Sequence, residues 1–311
     1  MCFVFILLIL IIVLSVLGVS LFNYGFYNPA KKHKHFETYQ ISEFYKNYSN
    51  TVVPLIDKLR KEPCEKVEIR SYDGLRLVGR YYHQEDGAPV AIMMHGWRGC
   101  ACGDFSGGYF LYKKLGFNIL LIDERACGDS EGRVITFGIK ESRDAVAWAN
   151  YITERFGKDI GIILCGISLG GATVMMSAAR GLPENVKAIV EDCGYSAPRD
   201  EIRSVAKSMH FPAGICYPVC RLFARIMGGF DLEEISAKEA VSKTDIPIMF
   251  IHGEDDSFVP FYMCEEVYNA CASYKEKFTV PGATHGVSYL ENPDGYANAV
   301  EHFLRTVKVI K

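Results

Sequence analysis

The sequence predicts an α/β domain: a mostly parallel central sheet with helices on both faces, carrying a helical insertion and preceded by an N-terminal transmembrane helix. Three observations predict it. Apolar runs of strand length alternate with helical patterns through most of the chain. Gly166-Ile167-Ser168-Leu169-Gly170-Gly171 stands where one such run gives way to a helical pattern. An uncharged apolar stretch, Cys2 to Phe22, opens the sequence.

That opening stretch has the length and composition of a membrane span, and it has no polar face to suit a globular core. No Lys or Arg precedes it, so the basic start of a cleaved signal is missing, although Gly18-Val19-Ser20 resembles a weak cleavage site. We read residues 1–28 as an uncleaved anchor. Lys31, Lys32 and Lys34 follow it, which by the positive-inside rule sets that side, and the domain, in the cytoplasm. Residues 29–65 read as a juxtamembrane amphipathic connector, with Ile41, Phe44, Tyr45, Tyr48, Val52, Leu55, Ile56 and Leu59 at helical spacing.

The domain proper is expected over residues 66–311. Val67 to Ser71 and Leu75 to Tyr82 flank Tyr72-Asp73-Gly74, which predicts a β-hairpin. Strands are then predicted at Val90–Met94, Ile119–Ile122, Ile160–Cys165, Val186–Val190, Ile248–Ile251 and Lys277–Val280. Near-continuous apolar strands imply a sheet covered on both faces, with functional residues at the C-terminal strand ends. Residues 195–244 interrupt the alternation with three prolines and apolar residues at helical spacing. We read this insertion as a lid that shapes a substrate pocket.

Composition narrows the function. The chain has 311 residues, nearly half of them hydrophobic, and a net charge of −3. That balance argues against nucleic acid as the main partner. Eleven cysteines lie scattered in apolar and loop segments, which suits reduced thiols used as small hydrophobes. Cys100 and Cys102 have no neighbouring residues with metal-ligand spacing.

A serine on a sharp strand-to-helix turn, with glycine two places before and after, is a nucleophile-elbow pattern. The serine backbone is strained there, and side chains at the glycine positions would clash. Its hydroxyl needs a base, and the base needs an orienting carboxylate. Of eight histidines, His285 alone follows the last predicted strand in a turn-rich segment. The acid is expected after the preceding strand, where Glu254, Asp255 and Asp256 compete. Oxyanion donors are expected from the backbone N–H groups of Leu169, next after the serine, and of Trp97, in the turn His95-Gly96-Trp97-Arg98-Gly99. His95 itself reads as structural. The charged stretch Asp123 to Gly132 reads as a loop tied down by its own ion pairs rather than as a substrate contact.

Taken as a set, these motifs resemble the α/β-hydrolase superfamily from about Val67 onward: the His-Gly turn, Asp-x-Arg…Gly-x-Ser, Gly-x-Ser-x-Gly, His-Gly-x-x-Asp-x-x-Val-Pro and the late Gly-x-x-His. The nearest subgroup is that of membrane-anchored bacterial serine hydrolases, similar to serine-aminopeptidase-like and acyl-hydrolase sequences. The resemblance implies an α/β-hydrolase fold, assigns the acid to Asp256, and implies neither metal nor organic cofactor. Relatives often carry histidine where Cys127 stands, a position outside the implied Ser168-Asp256-His285 triad. The expected activity is hydrolysis of carboxylic esters on a small-molecule or lipid-like acyl substrate. A peptidase, with Glu233-Glu234 as an amine clamp, and a non-catalytic membrane-tethered binding protein are the alternatives.

Overall fold

A computed structural model describes residues 2–311; residue 1 of the expected anchor lies outside the described residues. Eight strands form one sheet: β1 (Glu65–Arg70), β2 (Arg76–Tyr82), β3 (Val90–Met94), β4 (Asn118–Asp123), β5 (Ile162–Ile167), β6 (Val186–Asp192), β7 (Ile248–Gly253) and β8 (Lys275–Val280). Their order is β1-β2-β4-β3-β5-β6-β7-β8. The β1–β2 and β2–β4 pairs are antiparallel, and the remaining pairs are parallel. Strands β3 to β7 are buried along their whole length apart from Lys187, as expected where helices cover both faces.

Helices α1 (Cys2–Gly25) and α2 (Ser49–Leu59) precede the sheet. Helices α3 (Ala101–Asp104) and α4 (Ser106–Lys114) join β3 to β4, α5 (Glu141–Phe156) joins β4 to β5, and α6 (Leu169–Ser177) joins β5 to β6. Three helices fill the insertion between β6 and β7: α7 (Pro198–Ser208), α8 (Ala213–Phe223) and α9 (Ala237–Val241). Helix α10 (Tyr262–Ala270) leads to β8, and α11 (Ser288–Glu291) and α12 (Pro293–Thr306) follow it. One core layer packs Trp148 and Ile152 of α5 and Met175 and Met176 of α6 on the sheet. The other packs Tyr109 and Tyr112 of α4 and Phe303 and Leu304 of α12.

Helix α1 is long and apolar enough to cross a membrane. Its C-terminal end belongs to the domain core. Phe22 and Phe26 are buried, and the Phe26 ring lies 5.3 Å from Phe137 and 5.6 Å from Phe230. The chain then runs alongside residues 133–135: the N–H of Asn28 donates to Arg133 O and that of Ile135 to Phe26 O. The Asn28 side chain donates to Ala126 O at 2.8 Å.

The connector is pinned across the strand ends. Arg60 donates to the carbonyls of Phe36 and Tyr39, and the Arg80 guanidinium stacks 4.3 Å from the Phe36 ring. Val52, Ile56 and Leu59 of α2 are buried in the layer that holds α4. Asp129 holds three segments together: His35 of the connector at 2.8 Å, Lys66 of β1 at 2.8 Å and Arg80 of β2 at 3.3 Å. Burial raises its carboxyl, but hydrogen bonds from Lys66 and His35 outweigh that and hold it at about 2.

Two expectations follow. Phe26→Ala removes a buried ring and should lower unfolding stability by ~3–5 kcal/mol, read from denaturation of the full chain in detergent. An unchanged midpoint would show that the end of α1 is no part of the core. The folded carboxyl of Asp129 titrates below its unfolded value, so its stabilisation is complete above the ordinary carboxylate range and is lost as pH falls through about 2. The Tm gap between the parent and Asp129→Asn should therefore narrow steadily on acidification; a gap that is flat with pH would contradict this.

Candidate active site

Ser168 occupies the turn between β5 and α6 with φ 57° and ψ −115°, a left-handed φ that a non-glycine residue holds only when its surroundings force it. The surroundings do so. A Cβ on Gly166 would lie 2.1 Å from Gly170 O, and one on Gly170 would lie 1.9 Å from Met94 O. Both are backbone atoms, so the turns after β3 and β5 can meet only through glycine. The Ser168 N–H donates to Asp192 O at 2.8 Å, which fixes the turn against the end of β6.

His285 follows β8. Its Nε2 is 2.8 Å from Ser168 Oγ, and its Nδ1 is 2.7 Å from Asp256 Oδ2. The rings of Phe44 and Phe258 pack on it, with centroids at 5.1 and 4.9 Å. Asp256 is buried, and its Oδ1 accepts the N–H groups of Phe258 and Val259, each at 2.9 Å. Of the three competing acids, Glu254 and Asp255 are exposed, and Glu254 accepts from Thr279. Only Asp256 meets the imidazole. Backbone donors on one oxygen leave the other free to accept Nδ1–H.

His252 is buried beside Asp256, and burial lowers its pKa. Its Nε2–H donates to Val259 O at 2.9 Å, steadying the same turn. Among the described residues, Cys193, Asp256 and His285 are the one group of side chains near enough to share a metal ion. Both ring nitrogens of His285 are already engaged within the Ser168–His285–Asp256 chain.

The turn after β3 completes the floor. His95 Nε2 accepts the Glu124 N–H at 3.2 Å, so the proton sits on Nδ1, which donates to Gly96 O at 2.8 Å. Asp104 accepts the Gly96 N–H at 2.7 Å and the Tyr45 hydroxyl at 3.2 Å. A Cβ on Gly96 would lie 3.4 Å from the Ser168 Cβ, so Trp97 directly follows a residue packed on the serine. Neither the Trp97 N–H nor the Leu169 N–H meets an acceptor among the described residues. The Trp97 indole Nε1–H donates to Gly25 O, at the end of α1, at 2.9 Å. Arg98, at φ 48°, donates to Asn23 O and Tyr27 O of the same segment.

A cavity of ≈ 440 Å³ opens beside Ser168. Tyr39, Phe44, Trp97, Ile167 and Phe258 give it apolar walls, while Lys32, Lys34 and Arg98 bring positive charge beside the carboxylates of Glu43 and Asp104. The expectation that insertion 195–244 lids this pocket is corrected: no insertion residue lines it, and connector residues 28–45 do. The chain leaving α1 must cross the strand ends to reach α2, and it fills the place the insertion was expected to take. The expected amine clamp is occupied and lies outside the cavity. Glu233 accepts from Tyr217, and Glu234 takes Arg143 and Arg180, each at 2.7 Å.

The loop after β4 is internally tied. Arg125 is bidentate to Asp144 at 2.6 and 2.7 Å and reaches Asp73 at 2.9 Å. Cys127 is buried there, 4.0 Å from the Asn28 amide. The cysteines from Cys64 to Cys271 are free, and all of them but Cys64 are buried.

Sequence reading missed Asp104, Asp192 and Phe44 as parts of the site. Asp192 lies beneath the Ser168 turn, and burial pushes its carboxyl up to about 7. The available signal was an acidic pair, Glu191-Asp192, ending an apolar run. Asp104 carried no local signal, and Phe44 read as one more apolar position of the connector.

Residues 89–211 match the family model for the alpha/beta hydrolase fold. The uncharacterized protein YqkD of Bacillus subtilis (strain 168) is 24% identical over 195 residues, covering 62% of this chain and 64% of that protein. The lysophosphatidylserine lipase ABHD12 of Danio rerio is 30% identical over 201 residues, covering 60% of this chain and 48% of that protein. The chain thus spans less than two thirds of either relative's length. Among solved structures, the Pyrococcus furiosus esterase Pf2001 superposes with a TM-score of 0.65 at 21% identity, covering 80% of this chain and 93% of the esterase. Sheet order, family match and structural likeness converge on one conclusion: the chain has the α/β-hydrolase fold.

Proposed function

We propose that this protein is a hydrolase that cleaves carboxylic esters through an acyl-enzyme, with Ser168 as nucleophile, His285 as base and Asp256 as its orienting acid. The observation that carries the reading is the unbroken chain from Ser168 Oγ to His285 Nε2 at 2.8 Å and from His285 Nδ1 to Asp256 Oδ2 at 2.7 Å. Ser168 Oγ attacks the acyl carbonyl and its proton passes to Nε2. Asp256 accepts Nδ1–H throughout and stabilises the imidazolium. The Trp97 and Leu169 N–H groups, free of other acceptors, receive the oxyanion, and the positive end of α6 adds to them. Collapse of the tetrahedral species breaks the ester C–O bond, and the leaving oxygen takes the Nε2 proton. Water, deprotonated by His285, then releases the acid and restores Ser168.

The substrate class is a lipid-like acyl ester with an anionic head. Apolar walls suit the acyl chain, and Lys32, Lys34 and Arg98 suit the head. The lipase activity named for the ABHD12 relative supports the same class. The occupied Glu233 and Glu234 disfavour an amine clamp and hence the peptidase alternative. Residues 1–28 act as a membrane anchor, with the connector and domain following on the cytoplasmic side, as Lys31, Lys32 and Lys34 suggest.

The test is turnover of acyl aryl esters by the full chain in detergent, with a fluorophosphonate probe alongside. Ser168→Ala and Asp256→Asn should each lose roughly 10⁴-fold or more in kcat, and Ser168→Ala should lose all labelling. Parental turnover by Ser168→Ala would overturn the mechanism. For the membrane side, Cys64 is the one exposed cysteine from Cys64 to Cys271. In intact cells expressing a Cys2→Ser variant it should resist an impermeant maleimide and react after permeabilisation; ready labelling of intact cells would reverse the orientation.

A further inference from the structure

Helix α8 and the wide helical turn after it, Ala224–Gly228, carry an apolar face that the domain does not cover. Ile215, Leu222 and Ile226 recur at spacings of seven and four, which on a helix makes one stripe, and Phe211 stands just before the helix begins. In that order they are 55%, 51%, 68% and 50% exposed. The opposite face buries Cys216, Tyr217, Cys220 and Ala224, so the core has already taken its share of this helix. The neighbouring cations are turned away from the stripe: Arg221 and Arg225 both pair with Asp231.

The position of the stripe names its partner. Helix α8 packs side by side with α1, and the Phe223 ring fills the space where a Cβ on Gly18 would stand, 2.1 Å away. The apolar span of α1 is Val4–Gly25, 22 residues, or ~33 Å at 1.5 Å per residue, which matches a hydrocarbon core of ~30 Å. Gly18, where α8 touches α1, lies inside that span, about 10 Å from its end at Gly25. A bilayer that covers the whole span extends past Gly18, and at that depth it meets α8.

We propose that the stripe of Ile215, Leu222 and Ile226, with Phe211 before it, is immersed in the lipid bilayer beside α1, so that the insertion serves as a second membrane contact rather than as a lid on the Ser168 cavity. The proposal rests on the reading of α1 as a membrane anchor. Two contacts fix the tilt of the domain, where a single helix would leave it free to swivel. The cavity residues Asn28, Lys32 and Lys34 follow directly on α1, and Arg98 is hydrogen-bonded to that helix's end. The cavity mouth is thereby held at the headgroup level on the same side.

The test uses the full chain in phosphatidylcholine–phosphatidylglycerol vesicles, with Cys2→Ser and Cys64→Ser removing the reactive background. A single environment-sensitive fluorophore is placed on Leu222→Cys or Ile226→Cys, with Lys158→Cys, on the loop before β5, as control. The expected result is blue-shifted emission at 222 and 226 that falls roughly twofold or more with acyl-chain spin-labelled lipid, and no change at 158. Water-like, unquenched emission at 222 and 226 in protein that resists carbonate extraction overturns the proposal and leaves the anchor standing. Blue-shifted emission insensitive to the quencher also overturns it, in favour of a second protein surface over the stripe. Release of the protein by carbonate removes the anchor reading itself.

Discussion

The structure depends on the close approach of two turns, the one after β3 and the one after β5. Gly170 lies so near Met94 O that no side chain fits between them. This contact holds Ser168 at a positive φ, aims its hydroxyl outward and sets the start of α6 beneath it. Everything else at the site is registered to that serine. Asp192 O takes its N–H, Gly96 packs on its Cβ, and His285 meets its Oγ. The strain is stabilised from below. Gly194 packs against Gly171, and the Glu191 carboxyl, raised well above its usual range by burial, accepts the Gly194 N–H. A neutral acid can sit there without the cost of a buried charge.

A second constraint couples the site to the start of the chain. The carbonyls that end a helix lack internal partners. In α1 two of them, of Asn23 and Gly25, are taken by Arg98 and Trp97, residues of the turn that approaches Ser168. On the other side of the same turn, Asp104 ties Gly96 to Tyr45 of the connector. The turn is thus gripped from both ends by segments that precede the domain in sequence. Within it Asp104 takes the Gly96 N–H and Gly96 O takes the Gly99 N–H, while the Trp97 N–H is left without an acceptor among the described residues.

Much of this was legible in the sequence. The six predicted parallel strands lie where apolar runs stand, within two residues at most ends, because burial on both faces demands unbroken hydrophobicity. The serine turn was legible because its sterics admit only glycine. For the acid, three adjacent carboxylates look alike by residue type; the resemblance chose Asp256, and that is the one buried against His285 with two backbone N–H donors. The cover of the cavity was misread for a related reason. Both the insertion and the connector are amphipathic, and helical spacing tells which face is apolar but not what lies opposite. In the connector that face meets the protein. In α8 one face does, and a second apolar face remains.

That second face changes what the N-terminal segment means. An anchor that only tethers could be cut away without consequence for the domain. Here Phe22 and Phe26 complete the core, Gly25 holds Trp97, and Asn28 lines the cavity. Removing the segment would therefore strip one wall from the site and uncover part of the core layer at the same time. The candidate site is thus finished by residues that leave a helix long and apolar enough to cross a membrane, and its architecture depends on that helix as much as on the sheet.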